Sequence, residues 1–306
     1  MTITVILCTF NRCRSLEKAL KSLAVMQVDG SISWYVLVVD NNSTDATRSV
    51  VDKFSREYPG RFLYQFEAQQ GKSFALNAGV RAAASEVIAF VDDDVEVDRN
   101  WLENLVRPLE AAEYSGVGGR ILPEVAFAPP QWMDTTGRYA LAPLAIFDLG
   151  IEPHDLQEAP FGTNMAFRKA MFDKYGGFRT DLGPRPGSEI RNEDAEFGTR
   201  LLNAGQRLWY QPSAVVYHAI PQGRLSKRYF LTWWFDKARA DIRQSEPPTD
   251  GRVCFLGIPL FLVRRLGVWI IRWIVAGDSR KRFSCRLKVW SISGAITECV
   301  KQYRES

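Results

Sequence analysis

Over residues 1–112, runs of consecutive apolar residues alternate with segments in which apolar residues recur at helical spacing. "TVILCTF" (4–10), "WYVLVVD" (34–40) and "EVIAFVD" (86–92) are short continuous apolar runs, the signature of strands covered on both faces. "RFLYQFE" (61–67) reads as a further strand. Between them, Leu16, Ala19, Leu20 and Leu23 mark a helix that Asn11 can cap. After the polar loop "NNSTDAT" a second helix runs to about Tyr58, and "SFALNAGVRAAA" (73–84) forms a third. Asp98 is placed to cap a fourth, "RNWLENLVRPLEAA" (99–112). This rhythm predicts an α/β fold with a mostly parallel sheet and helices on both faces. Ligands of such sheets bind beyond the carboxyl ends of the strands. Thr9 and Asn11, Asp40, and Asp92 to Asp94 stand at those ends, so they are expected to line one crevice.

The rhythm breaks after Gly119. Residues 120–190 are rich in Pro and Gly, with an irregular middle from Pro123 to Pro160. "GTNMAFRKAMFDKYGGF" (162–178) then reads as strand, helix and glycine stop. "NEDAEFGTRLLNAG" (192–205) reads as a helix capped by Asn192 and closed by Gly205, and "RLWYQPSAVVYH" as a final extended segment.

Charge adds a division that the pattern does not show. Residues 1–223 hold 22 Lys and Arg against 28 Asp and Glu, net −6, whereas residues 224–306 hold 17 against 7, net +10. The expected organisation is a catalytic domain over 1–223, with a ligand-binding half at 1–119 and a second half at 120–223, followed by a basic, aromatic-rich helical tail at 224–306. Five cysteines without a CxxC pair fit reduced thiols and a cytoplasmic setting. The first residues lack the basic flank and long apolar region of a signal peptide. No run of about 18 apolar residues is present, so no membrane span is expected.

"IAFVDDDVEVD" (88–98) raises the chemical question, because adjacent like charges disfavour ionisation. The plain reading is a solvated strand-to-helix turn. The sharper one is that two carboxylates two residues apart share a hard divalent cation with a ligand's phosphates, as Mg²⁺ binds.

"FVDDD" after an apolar strand resembles the DxD motif of family 2 glycosyltransferases with the GT-A fold. "VILCTFNR", "VLVVDNNSTDAT", "GKSFALNAGVRAA", "GTNMAFRKAMFDKYGGF" and "NED" resemble further motifs of that family, in its order, over roughly residues 3–218. The resemblance implies a metal-dependent, inverting transfer of one sugar from a nucleotide-diphosphate sugar (UDP-, TDP- or GDP-linked). The acceptor would be a glycan or lipid-linked molecule of surface-polysaccharide synthesis. It implies that Thr9 and Asp40 contact the nucleoside, with Asn11, Lys72 and Asn77 near the donor. Asp92 would lie near the ribose or metal, and Asp93, the variable middle position of the donor-binding set, would turn away. Asp94, with Asp92 and His218, would ligate Mg²⁺ or Mn²⁺. Asp194 would be the base that takes the acceptor proton, with Glu193 as its substitute or as an orienting group. The alternatives are helix capping for Asn77, loop solvation for Lys72, dipole-favoured helix-start carboxylates for Glu193 and Asp194, and a structural role for His218.

Competing readings fit less well. A haloacid-dehalogenase-type phosphatase wants Thr or Val where this chain has Glu96, and no GxGxxG supports a dinucleotide enzyme. A catalytically inactive sugar-binding or scaffold protein of a glycan assembly complex remains the alternative of another class. The absence of QxxRW after the base argues against processive polymerisation. Nucleic acid has no place beside an acidic first half. In the tail, "VCFLGIPLFLVRRLGVWIIRWIVAG" is apolar but broken by Arg264, Arg265 and Arg272, and "SRKRFSCRLK" adds more basic residues. Over 250–306 this fits a helix lying on the inner face of the plasma membrane, with Trp269, Ile270 and Trp273 in the lipid boundary. The alternatives are packing on the protein or a homodimer interface.

Overall fold

All four early apolar segments are strands in the computed structural model, which describes residues 1–137, 139–245, 254–255 and 257–305. Residues 250–253, 256 and 306 of the tail interval therefore lie outside the described residues. In chain order the elements are β1 (Thr2–Thr9), α1 (Cys13–Ala24), β2 (Ser33–Asp40), α2 (Thr47–Glu57), β3 (Phe62–Phe66), α3 (Lys72–Ala82), β4 (Val87–Asp92), β5 (Val95–Val97), α4 (Trp101–Val106), β6 (Tyr114–Pro123), β7 (His154–Leu156), β8 (Asn164–Arg168), α5 (Lys169–Tyr175), α6 (Glu193–Asn203) and β9 (Arg207–His218).

The sheet runs β3-β2-β1-β4-β8-β6-β9-β5, with β7 paired to β9. β3, β2, β1 and β4 are parallel neighbours. β8 then enters antiparallel between β4 and β6, which makes the sheet mixed. β1, β2 and β4 are buried along their apolar runs, so both faces are covered. Leu16, Ala19, Leu20 and Leu23 of α1 are buried as the spacing requires; each leucine contributes roughly 1.5–3 kcal/mol by leaving water. The chain leaves β1 toward β2 and β3 and later returns to β4 on the other side of β1. Its reversal point thus lies between the ends of β1 and β4, where Cys8 is in register with Asp92.

Several local expectations need correction. Asn11 does not cap α1: it sits at φ 52° and its side-chain oxygen accepts the Thr44 N–H. Asp45 instead accepts the Cys13 N–H. The helix over 99–112 is shorter, because α4 ends at Val106 and a 3₁₀ turn covers Arg107–Glu110; Pro108 brings no N–H to continue an α-helix. Ahead of α4 the Asp98 side chain accepts the Asn100 N–H, and its carbonyl accepts the Trp101 N–H. Asn192 sits at φ 80°, and its side-chain nitrogen donates to Asp241 and Gln244. The rhythm runs past Gly119, because β6 continues to Pro123 inside the sheet. A Cβ on Gly116, Gly118 or Gly119 would come within 2.3 Å of Phe167, 2.5 Å of Pro160 or 2.3 Å of Asn164. Close packing therefore requires glycines, and the glycines erase the apolar pattern of a strand.

The elements just described belong to a unit made of Met1–Val125, Ala145–Gly187 and Glu193–Ala219. A second unit joins Ala126–Leu144, Ser188–Asn192 and Ile220–Ser306. Two segments expected in the 1–223 domain thus belong with the tail. Trp132 shows why, with its ring edge-on to Phe230 and Phe283, a partnership that no linear pattern announces. This unit contains α7 (Lys227–Gln244), a small hairpin β10 (Cys254–Phe255) and β11 (Ile258–Pro259), α8 (Leu260–Val275) and α9 (Ser279–Glu305). α7 and α9 pack closely enough that a Cβ on Gly294 would lie 2.2 Å from the Phe235 carbonyl oxygen. Leu262, Leu266 and Trp269 of α8 pack with Ala238, Ile292, Ala295 and Cys299. Trp269 and Trp273 are therefore half-buried inward rather than facing a lipid boundary. The exposed apolar residues of α8 are instead Val263, Ile270, Ile271, Ile274 and Val275 among others. No helix among the described residues is long and apolar enough to cross a membrane.

Candidate active site

Two consecutive residues before β8 connect the strand-end carboxylates to the start of α6. The Thr163 hydroxyl donates to Asp92 Oδ2 at 2.7 Å, and the Gly162 N–H donates to Asp194 Oδ2 at 2.5 Å. Asp194 Oδ1 accepts the Ala195 N–H at 2.8 Å, so backbone donors fix both of its oxygens. A Cβ on Gly162 would lie 2.9 Å from Asp194 Oδ2, which explains the glycine.

Lys72, first residue of α3, makes a second link. Its ammonium lies 2.7 Å from Asp92 Oδ1 and 3.7 Å from Glu193 Oε1. Burial alone would push its pKa down, but Asp92, Glu193 and Asp194 outweigh that and hold it above the usual lysine value. Glu193 is only 4% exposed. Burial, then repulsion from Asp194, pushes its pKa up to about 7 against the attraction of Lys72.

The middle carboxylate, Asp93, is turned away into the protein. It accepts the Thr9 hydroxyl at 2.7 Å and Arg12 at 3.1 Å. Burial is the main reason its pKa rises to about 6, with Arg12 opposing. Arg12 also reaches Asp94 Oδ2 at 3.0 Å. Across from it, His218 Nε2 lies 3.5 Å from Asp94 Oδ1, brought there by the pairing of Val95 with His218 between β5 and β9.

Two bonded sets thus meet at the ends of β1 and β4, one of Asp92, Lys72, Glu193 and, through Gly162 and Thr163, Asp194, the other of Asp93, Asp94, Arg12 and His218. Three residues expected near the donor make contacts inside the protein. Asn77 brackets the Phe178 backbone, donating to its carbonyl and accepting its N–H, each at 2.8 Å. Asp40 accepts the Ser43 N–H and the Tyr64 hydroxyl, and like Thr9 it is 3% exposed. Both hold the loops; the exposed polar edge there comes from Asn11 and its partner Thr44. Arg12 and Thr163 carried no assignment although both lie in motif stretches. Their signal was position alone, one step beyond Asn11 and one beyond Gly162.

The expected metal set is only partly assembled. Among the described residues no three His, Cys, Asp or Glu side chains gather as a metal cluster. Asp92 is engaged by Lys72 and Thr163 and stands apart from the Asp94–His218 pair. That pair does fit a cation: two ligands at bonds of about 2.1 Å lie about 3–3.5 Å apart when near perpendicular.

Comparison with known proteins gives the family and the fold. Residues 4–176 match the sequence profile described as Glycosyl transferase family 2. Glycosyltransferase AglE of Haloferax volcanii is 27% identical over 229 residues, 74% of this chain and 70% of that protein. Glucosyl-dolichyl phosphate glucuronosyltransferase of the same organism is 24% identical over 240 residues, 76% of this chain and 75% of its own length. The mannosyltransferase PcManGT from Pyrobaculum calidifontis, solved with GDP-Man and Mn²⁺, superposes with a TM-score of 0.58 at 21% identity, covering 97% of this chain and 73% of that one. The GT-A fold implied by the motif resemblance is therefore the fold observed.

Proposed function

We propose, for a chain that belongs to glycosyl transferase family 2 and is a glycosyltransferase, a metal-dependent inverting transfer of one sugar from a nucleotide-diphosphate donor to a glycan or lipid-linked acceptor. The observation that carries this reading is the junction at Gly162 and Thr163. Adjacent residues hold Asp194 and Asp92, so the acceptor side and the donor side share one rigid piece of backbone.

Asp194 is the base in this reading. Its oxygens are oriented by two backbone N–H groups and it is only half-buried, so an acceptor hydroxyl can reach it. Glu193 is buried against Lys72 and serves as an orienting charge. One base and no positioned second nucleophile is the requirement of a single displacement, which inverts the sugar. Asp94 and His218 would hold Mg²⁺ or Mn²⁺ together with donor phosphates. The bound cation would supply charge stabilisation for the departing diphosphate. Lys72 adds a fixed positive charge beside Asp92, and Arg12 holds Asp93 and Asp94 in place.

The cation in the PcManGT structure supports the metal, and the dolichyl phosphate in the second relative's name supports a lipid-linked acceptor. We further infer that α8 meets an anionic membrane surface. Val263, Ile270 and Ile274 recur on one flank of the helix, while Arg265 and Arg272 recur on the other. A thermal-shift screen of UDP, TDP and GDP with and without Mn²⁺, followed by turnover of the matching labelled sugar nucleotides, tests the reading. Stabilisation by one nucleotide only with metal, and release of that nucleotide on acceptor addition, is expected. No metal-dependent nucleotide binding would point to the inactive sugar-binding alternative.

A further inference from the structure

The helical unit carries a cation-lined cavity that the transfer reaction leaves unused. It measures about 410 Å³ and is lined by Lys227, Arg228, Leu231 and Thr232 of α7 and by Arg286 and Trp290 of α9. That volume falls within the range of small-molecule sites, roughly 300–1,000 Å³.

Among the described residues none of its three cations, Lys227, Arg228 and Arg286, forms an ion pair with a carboxylate. Further along the same helices the pattern differs. Arg239 and Arg243 share the buried carboxylate of Glu298, at 3.2 Å and 2.8 Å from their Nε atoms. Arg286 has no such carboxylate. Its guanidinium lies over the rings of Trp290 at 4.6 Å and Trp273 at 5.6 Å. Its Nε is buried without a hydrogen-bond partner. A buried donor left unpaired loses the hydrogen bond that water would have given it. The indole faces orient the planar guanidinium, and such a pre-oriented fork suits phosphate oxygens. Lys227 and Arg228 are exposed and can close on the same anion.

We propose that this cavity binds a phosphate or diphosphate group, with Arg286 as the fixed contact and Lys227 and Arg228 as the outer ones. Leu231 and Trp290 give it an apolar wall, which suits a phosphate carried on a larger, partly apolar molecule. The site shares no residue with the strand-end carboxylates, so it stands independently of the proposed transfer chemistry. The phosphate can be free in solution or borne on a lipid.

The test uses the full chain in EDTA, which keeps metal-dependent donor binding from contributing. Inorganic pyrophosphate is titrated calorimetrically, and phosphatidylcholine vesicles with and without a polyprenyl diphosphate are compared by co-sedimentation. Arg286→Gln and Arg228→Gln should each weaken binding at least about tenfold, while Arg56→Gln, at an exposed position of α2, should not. Arg228 is exposed, so its substitution preserves the fold if that of Arg286 does not. Pyrophosphate binding alone assigns the free anion, and added binding to the doped vesicles that pyrophosphate competes away assigns the lipid-borne one. Wild-type protein that binds neither, or cavity variants that bind like wild type, would overturn the proposal.

Discussion

Replacing Lys72 by methionine removes the ammonium that stands between Asp92 and Glu193. Its Nζ lies 2.7 Å from Asp92 and 3.7 Å from Glu193, and the latter is buried. Removing one partner of a fully buried pair costs about 3–5 kcal/mol. Here 26% of the Lys72 side chain and 23% of the Asp92 side chain reach solvent, so screening reduces the figure to about 2 kcal/mol. The cost depends on pH with a definite sign. The pKa of Glu193 in the folded protein is already raised to about 7, so its protonated form favours folding and that contribution disappears as pH rises through that value. Without Lys72 the folded-state pKa rises further, and the charged carboxylate is left facing Asp92 and Asp194. The deficit should therefore be largest above neutrality, near 2 kcal/mol at about pH 8.5, and clearly smaller at about pH 5.5. Urea unfolding of wild type and Lys72→Met at both values measures it. A deficit equal at the two pH values, or absent at the higher one, would refute the electrostatic coupling described here.

Asp94→Ala should abolish metal-dependent nucleotide binding, and a metal titration with UDP, TDP or GDP that gives wild-type affinity would remove Asp94 from the cation site. Asn77→Ala should cost about 1–3 kcal/mol of stability by leaving the Phe178 backbone groups unpaired, with nucleotide affinity unchanged once folded; urea unfolding and nucleotide titration separate the two effects. Full-length protein should co-sediment with anionic liposomes, less at high salt, and Ile270→Asp with Ile274→Asp should release it; protein that stays in the supernatant would leave α8 as a packing or dimerisation element.

Strands β1, β2 and β4 were legible because they are buried on both faces and therefore written as continuous apolar runs. The place of Asp92 and Asp94 at a strand end was legible for a related reason, since charged residues directly after such runs stand out, whereas Asp194 was singled out by the motif resemblance. β6 was not legible, because the contact with Phe167, Pro160 and Asn164 demands glycines where a strand normally shows branched apolar residues. The bond from Asn77 to a backbone 101 residues away was not legible, because such a side-chain amide looks, in sequence, like any exposed helical asparagine. The assignment of Trp269 and Trp273 to lipid failed for a similar reason. Periodicity gives a helix an apolar face but does not say whether protein or membrane covers it, and α9 covers this one.

The most direct test of the central claim is the comparison of Asp194→Asn with Glu193→Gln under saturating donor and Mn²⁺. The account predicts that Asp194→Asn keeps nucleotide binding while its turnover falls about 10²–10⁴-fold, the scale of a lost general base. Glu193→Gln, buried beside Lys72, should retain far more activity. An Asp194→Asn enzyme with near wild-type turnover, beside an inactive Glu193→Gln, would contradict the account and move proton abstraction to the buried carboxylate.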